Sequence, residues 1–167
     1  GQGLPLRAKQ RFLQAGKAAL QTPIAPLPLS LWLDFTHTGR RMPWETAYFS
    51  RRARLCALVS AECVEHKGRF LDAIADTVWA ICEESAWQLP AHNSYVRDTP
   101  QLPLPDTTRP IVDLFAAETG ALLALARYLL PDELDTAAPG ITARMEQELN
   151  ARILTPYFTS HFWWMGN

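Results

Sequence analysis

Apolar residues return every three to four positions along most of this chain, the spacing of one face of a helix. Leu6, Phe12, Leu13, Gly16 and Leu20 place a first helix over Leu6 to Leu20. Pro23, Pro26 and Pro28 end it and impose an extended connection. Leu29 to Phe35 is apolar but short, contains Trp32, and has no partner strand, so it reads as a packed loop. Pro43 suits the first turn of a second helix, in which Tyr48, Leu55, Val59 and Cys63 recur at helical spacing up to about His66. After Gly68, a third helix carries Leu71, Ile74, Val78 and Ile81 on one stripe and ends near Glu84, ahead of Pro90.

From Gln88 to Pro110 the period vanishes and prolines stand at 90, 100, 103, 105 and 110. Loops longer than about 12–15 residues inside a compact domain tend to be functional or disordered. Tyr95, Leu102 and Leu104 make this one too apolar for a solvated linker, so it reads as an ordered loop lying over the helices. Pro110 to Leu130 is apolar on almost every side, which predicts the most deeply buried helix of the domain. A short turn at Asp132 to Asp135 precedes an amphipathic surface helix, with Ile141, Met145, Leu149 and Ile153 stepping by four until Pro156 interrupts it. No alternation supports strands, so the expected fold class is all-α. Sequential helices with short links pack as antiparallel hairpins, and no solenoid-length repeat is visible.

Composition narrows the picture without redirecting it. The 167 residues fit one globular domain, with 48% hydrophobic and 20% charged residues. Sixteen basic and 17 acidic residues leave a net charge of -1, which argues against a nucleic-acid binder. The run Arg51, Arg52 and Arg54 reads as the wet face of a helix. Cys56 and Cys63 lie about two turns apart on one helix, ~10.5 Å, too far for a disulfide. With Cys82 they read as small buried apolar residues, and no zinc spacing or other metal site occurs. No apolar run is long enough to span a membrane, and Gly1-Gln2-Gly3 does not open like a signal peptide. Localisation stays open.

The richest stretch is Trp79-Ala80-Ile81-Cys82-Glu83-Glu84-Ser85-Ala86-Trp87-Gln88-Leu89-Pro90-Ala91-His92-Asn93. Aromatic faces beside a few polar groups suit a polar, ring-shaped ligand. Glu83 and Glu84 fall at a helix C-terminus, where a negative charge is mildly unfavourable, about 0.3–1 kcal/mol each. They therefore call for a partner, either an arginine such as Arg97 or Arg109 or a ligand hydroxyl. His92 and Asn93 either cap loop backbone or contact substrate. Asp113 suits the start of its helix and reads as structural, while Glu118 beside Gly120 stays open as a functional acid. About 140° of azimuth separates the two acids, so they do not form one joint site. Gly120 would let another helix approach closely. Trp163 and Trp164 fit either a core or a sugar-stacking face.

This stretch resembles the N-terminal helical domain of heparinase II/III-type polysaccharide lyases. So do Asp113-Leu114-Phe115-Ala116-Ala117-Glu118-Thr119-Gly120 and Trp163-Trp164-Met165-Gly166. The resemblance implies helical hairpins forming part of an incomplete (α/α) toroid, no cofactor, and cleavage of an acidic, uronate-containing polysaccharide by β-elimination. Substrate contacts are expected from Glu83, Glu84, Trp87, His92, Asn93 and Trp164, and clustering at a helix end and loop predicts that Glu84, Trp87, His92 and Asn93 line one concave surface with Trp164. In that family a Trp-Met-Gly segment is followed by an Asn-Asn-Trp motif whose asparagine neutralises the substrate carboxylate, with the acid–base pair later still. The chain stops at Asn167, so it is expected to be one part of a larger lyase and inactive alone, with the remainder of the parent chain as its partner. Two other classes fit the residues: a non-catalytic carbohydrate-binding or scaffold module, and a glycoside hydrolase on a related toroid using Glu84 and Glu118.

Overall fold

The computed structural model describes residues 3–166, and every regular element among them is helical. The elements are α1 (Leu6–Gln21), α2 (Leu29–Thr38), α3 (Met42–Glu65), α4 (Leu71–Cys82), α5 (Leu114–Leu129), α6 (Pro131–Ala137), α7 (Ile141–Leu149) and α8 (Thr155–Thr159). Among the described residues no single helix is long and apolar enough to cross a membrane.

The core forms where α3, α4, α5, α6 and α7 bring their apolar stripes together. Leu55 and Leu58 of α3, Ile74 and Ile81 of α4, Leu123 of α5 and Met145 of α7 are all fully buried. α1 lies against α3 at Gly16, where an added Cβ would overlap Ala61 and press on the Phe70 ring. A second, smaller cluster gathers Trp32, Trp44, Tyr48, Ala86 and Leu89 between α2, α3 and the loop that follows α4.

Three elements differ from the sequence expectation. Leu29–Thr38 is a helix rather than a packed loop. Gly39 turns left-handed behind it and donates its N–H to the Phe35 carbonyl at 2.8 Å, while Trp32 meets Trp44 edge-on at 5.0 Å. A C-cap and one buried indole stabilise ten residues that carry little periodicity of their own.

α5 begins at Leu114, not Pro110, because Asp113 is its N-cap and accepts the Ala116 N–H at 2.7 Å. Nor is α5 buried all round. Six of twelve residues are buried in α4 and five of sixteen in α5, which leaves Leu114, Leu125, Tyr128 and Leu129 exposed. Among the described residues, only one side of α5 has helices to pack against.

The last amphipathic helix does not stop at Pro156. It widens into a π-turn over Asn150–Leu154 and resumes as α8, with Pro156 in the first turn, where a missing N–H is tolerated. Gly120 of α5 faces this wide turn, as the close approach expected there requires. A Cβ on it would sit 2.9 Å from Ile153 Cγ1.

Between α4 and α5 the chain is irregular apart from one turn of 3₁₀ helix, Pro90–His92. It is nonetheless held. Trp32 Nε1 donates to the Pro103 carbonyl at 3.0 Å, and the Tyr95 hydroxyl donates to the Arg109 carbonyl at 2.7 Å.

Candidate functional site

Two clefts meet along the segment Glu83–Ala86, where α4 has ended and the loop begins. The first, about 420 Å³, is the more polar of the two. It runs between Glu83–Gln88, the loop residues Asp106–Thr108, and Arg144, Glu148 and Arg152. The second, about 540 Å³, lies on the other side, bordered by Trp32, Trp44, Trp79, Arg51 and Leu104–Pro105. Thr107 contributes to both.

Glu84 lines both clefts, yet its side chain is only 2% exposed. Arg52 grips it with two hydrogen bonds, Nη1 to Oε1 at 2.7 Å and Nη2 to Oε2 at 2.6 Å, and Arg51 Nη1 adds a third at 3.1 Å. The forked guanidinium matches the carboxylate and removes the penalty of burying it alone. The sequence leaves the partner open between an arginine such as Arg97 or Arg109 and a ligand hydroxyl. Arg97 instead pairs with Asp98 at 3.5 Å, and Arg109 packs over the Tyr95 ring at 3.9 Å.

The basic run of α3 is therefore not a wet face. Arg52 is buried, Arg51 also donates to the Ala25 and Ala80 carbonyls, and Arg54 donates to the Ala19 and Thr22 carbonyls and to Thr77. Guanidiniums supply the donors that irregular backbone after α1 and the end of α4 would otherwise lack.

Behind Glu84 the network continues inward. Arg52 Nε donates to Thr119 Oγ1 at 3.1 Å and its guanidinium covers the Tyr48 ring at 3.4 Å. The Tyr48 hydroxyl donates to the Trp87 carbonyl at 2.7 Å. Burial pushes the Tyr48 phenol up to about 12, only partly opposed by the Arg52 charge, so it is a neutral donor near pH 7.

Glu83 is half exposed and pairs with Arg144 at 2.9 Å. Arg144 and Arg152 both hold Glu148, at 2.8 and 2.6 Å. Arg152 also donates to the Glu84 and Cys82 carbonyls at 2.5 and 2.9 Å, capping the negative end of α4 on which the two glutamates sit.

Trp87 is not an open sugar platform. It is 1% exposed, its N–H is given to the Ile81 carbonyl at 3.0 Å, and Arg152 covers the ring at 4.9 Å. It touches the wall of the first cleft from within the core.

His92, Asn93 and Trp164 line neither cleft. His92 Nδ1 meets Asp113 Oδ2 at 2.6 Å and its ring stacks on Phe115 at 5.7 Å. Asp113 thus caps α5 with one oxygen and gathers His92 and the Leu89 N–H with the other. Asn93 is fully buried and joins Gln88 to Leu102, giving its Nδ2 to the Leu102 carbonyl at 2.9 Å. Trp164 stacks on Phe162 at 5.7 Å and donates to the Val112 carbonyl at 2.9 Å. Glu118 is exposed on α5 and borders neither cleft, so Glu84 and Glu118 do not flank a site as a hydrolase pair.

Sequence reasoning missed Trp32 and Trp44 as cleft residues. They come from α2 and α3, some fifty and forty residues before the motif, and no local spacing links them to it. Trp44 Nε1 is buried without a hydrogen-bond partner, a cost of about 1–3 kcal/mol when left unmet.

All three cysteines are free, but only Cys82 is fully buried and Cys56 is exposed, contrary to the expectation that all are interior. Burial pushes the Cys82 thiol up to about 11, with Glu148 adding to the rise, so its thiolate is scarce at pH 8. Cys56 is expected to react with a maleimide at least tenfold faster than Cys82 in the native chain. Peptide mapping after timed labelling checks this, and equal rates would contradict the burial of Cys82.

Among the described residues no group of three or more His, Cys, Asp or Glu is placed to hold a metal ion. Compared with known protein families and with curated proteins, the chain matches none.

Proposed function

We propose that this chain is part of the substrate-cleft helical domain of a heparinase II/III-like polysaccharide lyase. In this reading its helices are hairpins of an incomplete (α/α) toroid, and the parent enzyme cleaves a uronate-containing polysaccharide by β-elimination. One observation carries the reading: four residues of the stretch Trp79 to Asn93 on which the family resemblance chiefly rests, Glu83 to Ala86, border both clefts. Aromatic faces beside hydrogen-bonding groups suit a sugar chain.

β-Elimination removes the proton at C5 of a uronate, builds charge on its carboxylate, and needs a base, an acid and a carboxylate-neutralising donor. The residues of these clefts are suited to binding rather than to proton transfer. Glu83, Glu84 and Glu148 are all ion-paired to arginine. Tyr48 is buried and held protonated. His92 is bound to Asp113 away from both clefts. In the proposed enzyme the acid–base groups come from the remainder of the parent chain, and the exposed apolar side of α5 suits packing against it.

The test is release of the unsaturated uronate, read by its ultraviolet absorbance over a panel of uronate polymers. The parent enzyme is expected to form product from at least one of them. The 167-residue chain is expected to bind oligosaccharide but fall at least 10²–10³-fold below the parent, the scale of losing a single charge-stabilising donor. A parent that binds sugar and releases no unsaturated product would favour the non-catalytic module, a reading to which the ion-paired carboxylates lend support.

A further inference from the structure

The two clefts are divided by very little. Besides Glu83, Glu84, Ser85 and Ala86, Thr107 alone borders both. It belongs to an irregular span, residues 104–109, that faces the segment 83–86 and separates about 420 Å³ on one side from about 540 Å³ on the other.

The two ends of this span are held differently. At the start there are three hydrogen bonds. The Leu102 N–H donates to the Asn93 carbonyl at 2.7 Å, Asn93 Nδ2 donates to the Leu102 carbonyl at 2.9 Å, and Trp32 Nε1 donates to the Pro103 carbonyl at 3.0 Å. Asn93 and Trp32 are both buried, so water competes poorly for these bonds. At the far end one exposed bond does the holding, from the Tyr95 hydroxyl to the Arg109 carbonyl at 2.7 Å, with the Arg109 guanidinium over the same ring at 3.9 Å.

Between the ends, every hydrogen bond among the described residues is internal to the span. The Thr108 N–H and hydroxyl donate to Asp106 Oδ1 at 2.9 and 2.7 Å, and the Arg109 N–H donates to the Asp106 carbonyl at 3.2 Å. These bonds close a side-chain turn, and Pro105 fixes a torsion beside it, so the middle is stiff. Leu104 is 48% exposed and residues 106–109 are exposed as well, so little buried area resists lifting.

We propose that residues 104–109 form a strap, hinged at Pro103 and latched by Tyr95, that swings away from the segment 83–86 and opens the two clefts into one groove running from Trp79 to Arg152. The stiff middle moves as one piece, and the chain is fixed again at Ile111, which is buried. The shut position is favoured mainly by one exposed hydrogen bond and one cation–π contact. The lifted form is therefore a minor state of about 0.1–10%, exchanging on the microsecond-to-millisecond scale of loops that close over sites. A ligand longer than either cleft enters sideways instead of threading an end beneath Thr107. The motion goes beyond the lyase reading and does not need it.

Pulsed electron spin resonance reads this motion with no ligand present. Spin labels are placed at Thr107→Cys and at Asp76→Cys, an exposed position on α4, in a Cys56→Ser, Cys63→Ala chain. Two discrete distances are expected, the longer in the minority. Tyr95→Phe keeps the ring and removes the latch hydroxyl, so the ratio of lifted to shut should rise about fivefold, the net worth of one hydrogen bond. Tyr157→Phe, on an exposed ring of α8, should leave that ratio unchanged. In the unlabelled chain, relaxation dispersion at the Leu104, Thr107 and Thr108 amides should show the same exchange, larger in Tyr95→Phe.

One narrow distance that Tyr95→Phe leaves unchanged overturns the proposal, as do flat dispersion profiles in both chains. A single broad distribution overturns it too, because it describes a loop without two positions. With no sugar in the sample, none of these outcomes bears on the lyase reading.

Discussion

Replacing Arg52 by methionine should cost about 3–5 kcal/mol of folding stability, the scale of stripping one partner from a buried ion pair. Arg52 makes two of the three side-chain hydrogen bonds to Glu84 and the shortest of them. Its loss also removes the donor to Thr119 and the cation over Tyr48. Arg51 remains, but a single contact at 3.1 Å cannot satisfy both oxygens of a carboxylate that is 2% exposed. Replacing Glu84 by leucine in the same chain removes the stranded charge, so the double variant should recover much of the loss. Urea unfolding of the two singles and the double gives the coupling directly. A loss below about 1 kcal/mol for Arg52→Met would mean that Glu84 reaches solvent when unpaired, and that the network is a surface feature.

Trp87→Ala should be as damaging, by about 3–5 kcal/mol, the usual range for truncating a core tryptophan. The ring is almost wholly enclosed and its N–H is spent on the last turn of α4. The cavity would open directly beneath Arg152, whose guanidinium also caps that turn. Trp79→Ala, eight residues earlier on the same helix–loop unit and half exposed, should stay within about 0.5 kcal/mol of the parent sequence. The two tryptophans thus separate stability from binding. A Trp87→Ala chain that kept its unfolding midpoint and lost sugar binding would make Trp87 the platform.

What the sequence revealed and what it hid divide along a physical line. Helical period is local, so α1, α3, α4 and α7 were legible from residues within each of them. α2 was not, because its stability comes from a glycine cap and from Trp44 and Pro103, which no window around Trp32 contains. α5 misled for the opposite reason. Its residues are apolar on every side, but only the side carrying Ala116, Gly120 and Leu123 has neighbours in this chain.

The site shows the same division. The cluster of acids and indoles from Trp79 to Trp87 was visible as an unusual mixture, and it does border the clefts. That the glutamates needed partners followed from the dipole of α4, yet Glu84 is met by Arg51 and Arg52 some thirty residues upstream and Glu83 by Arg144 sixty-one residues downstream, not by Arg97 or Arg109. His92 and Asn93 drew attention by type. Asp113 and Leu102, their actual partners, lie twenty-one and nine residues away across a loop with no period to guide the pairing.

Pro103 hangs from the Trp32 indole across seventy-one residues of chain, and Leu102 beside it is tied to Asn93. Of the residues that follow, Leu104 and Pro105 border the second cleft, Asp106 and Thr108 the first, and Thr107 both. The loop wall of the two clefts is therefore tied to the seating of a ten-residue helix that carries none of the charged groups lining them. A small change in how α2 rests on α3 would act like an adjustment screw, altering the gap while leaving the ion-paired wall untouched.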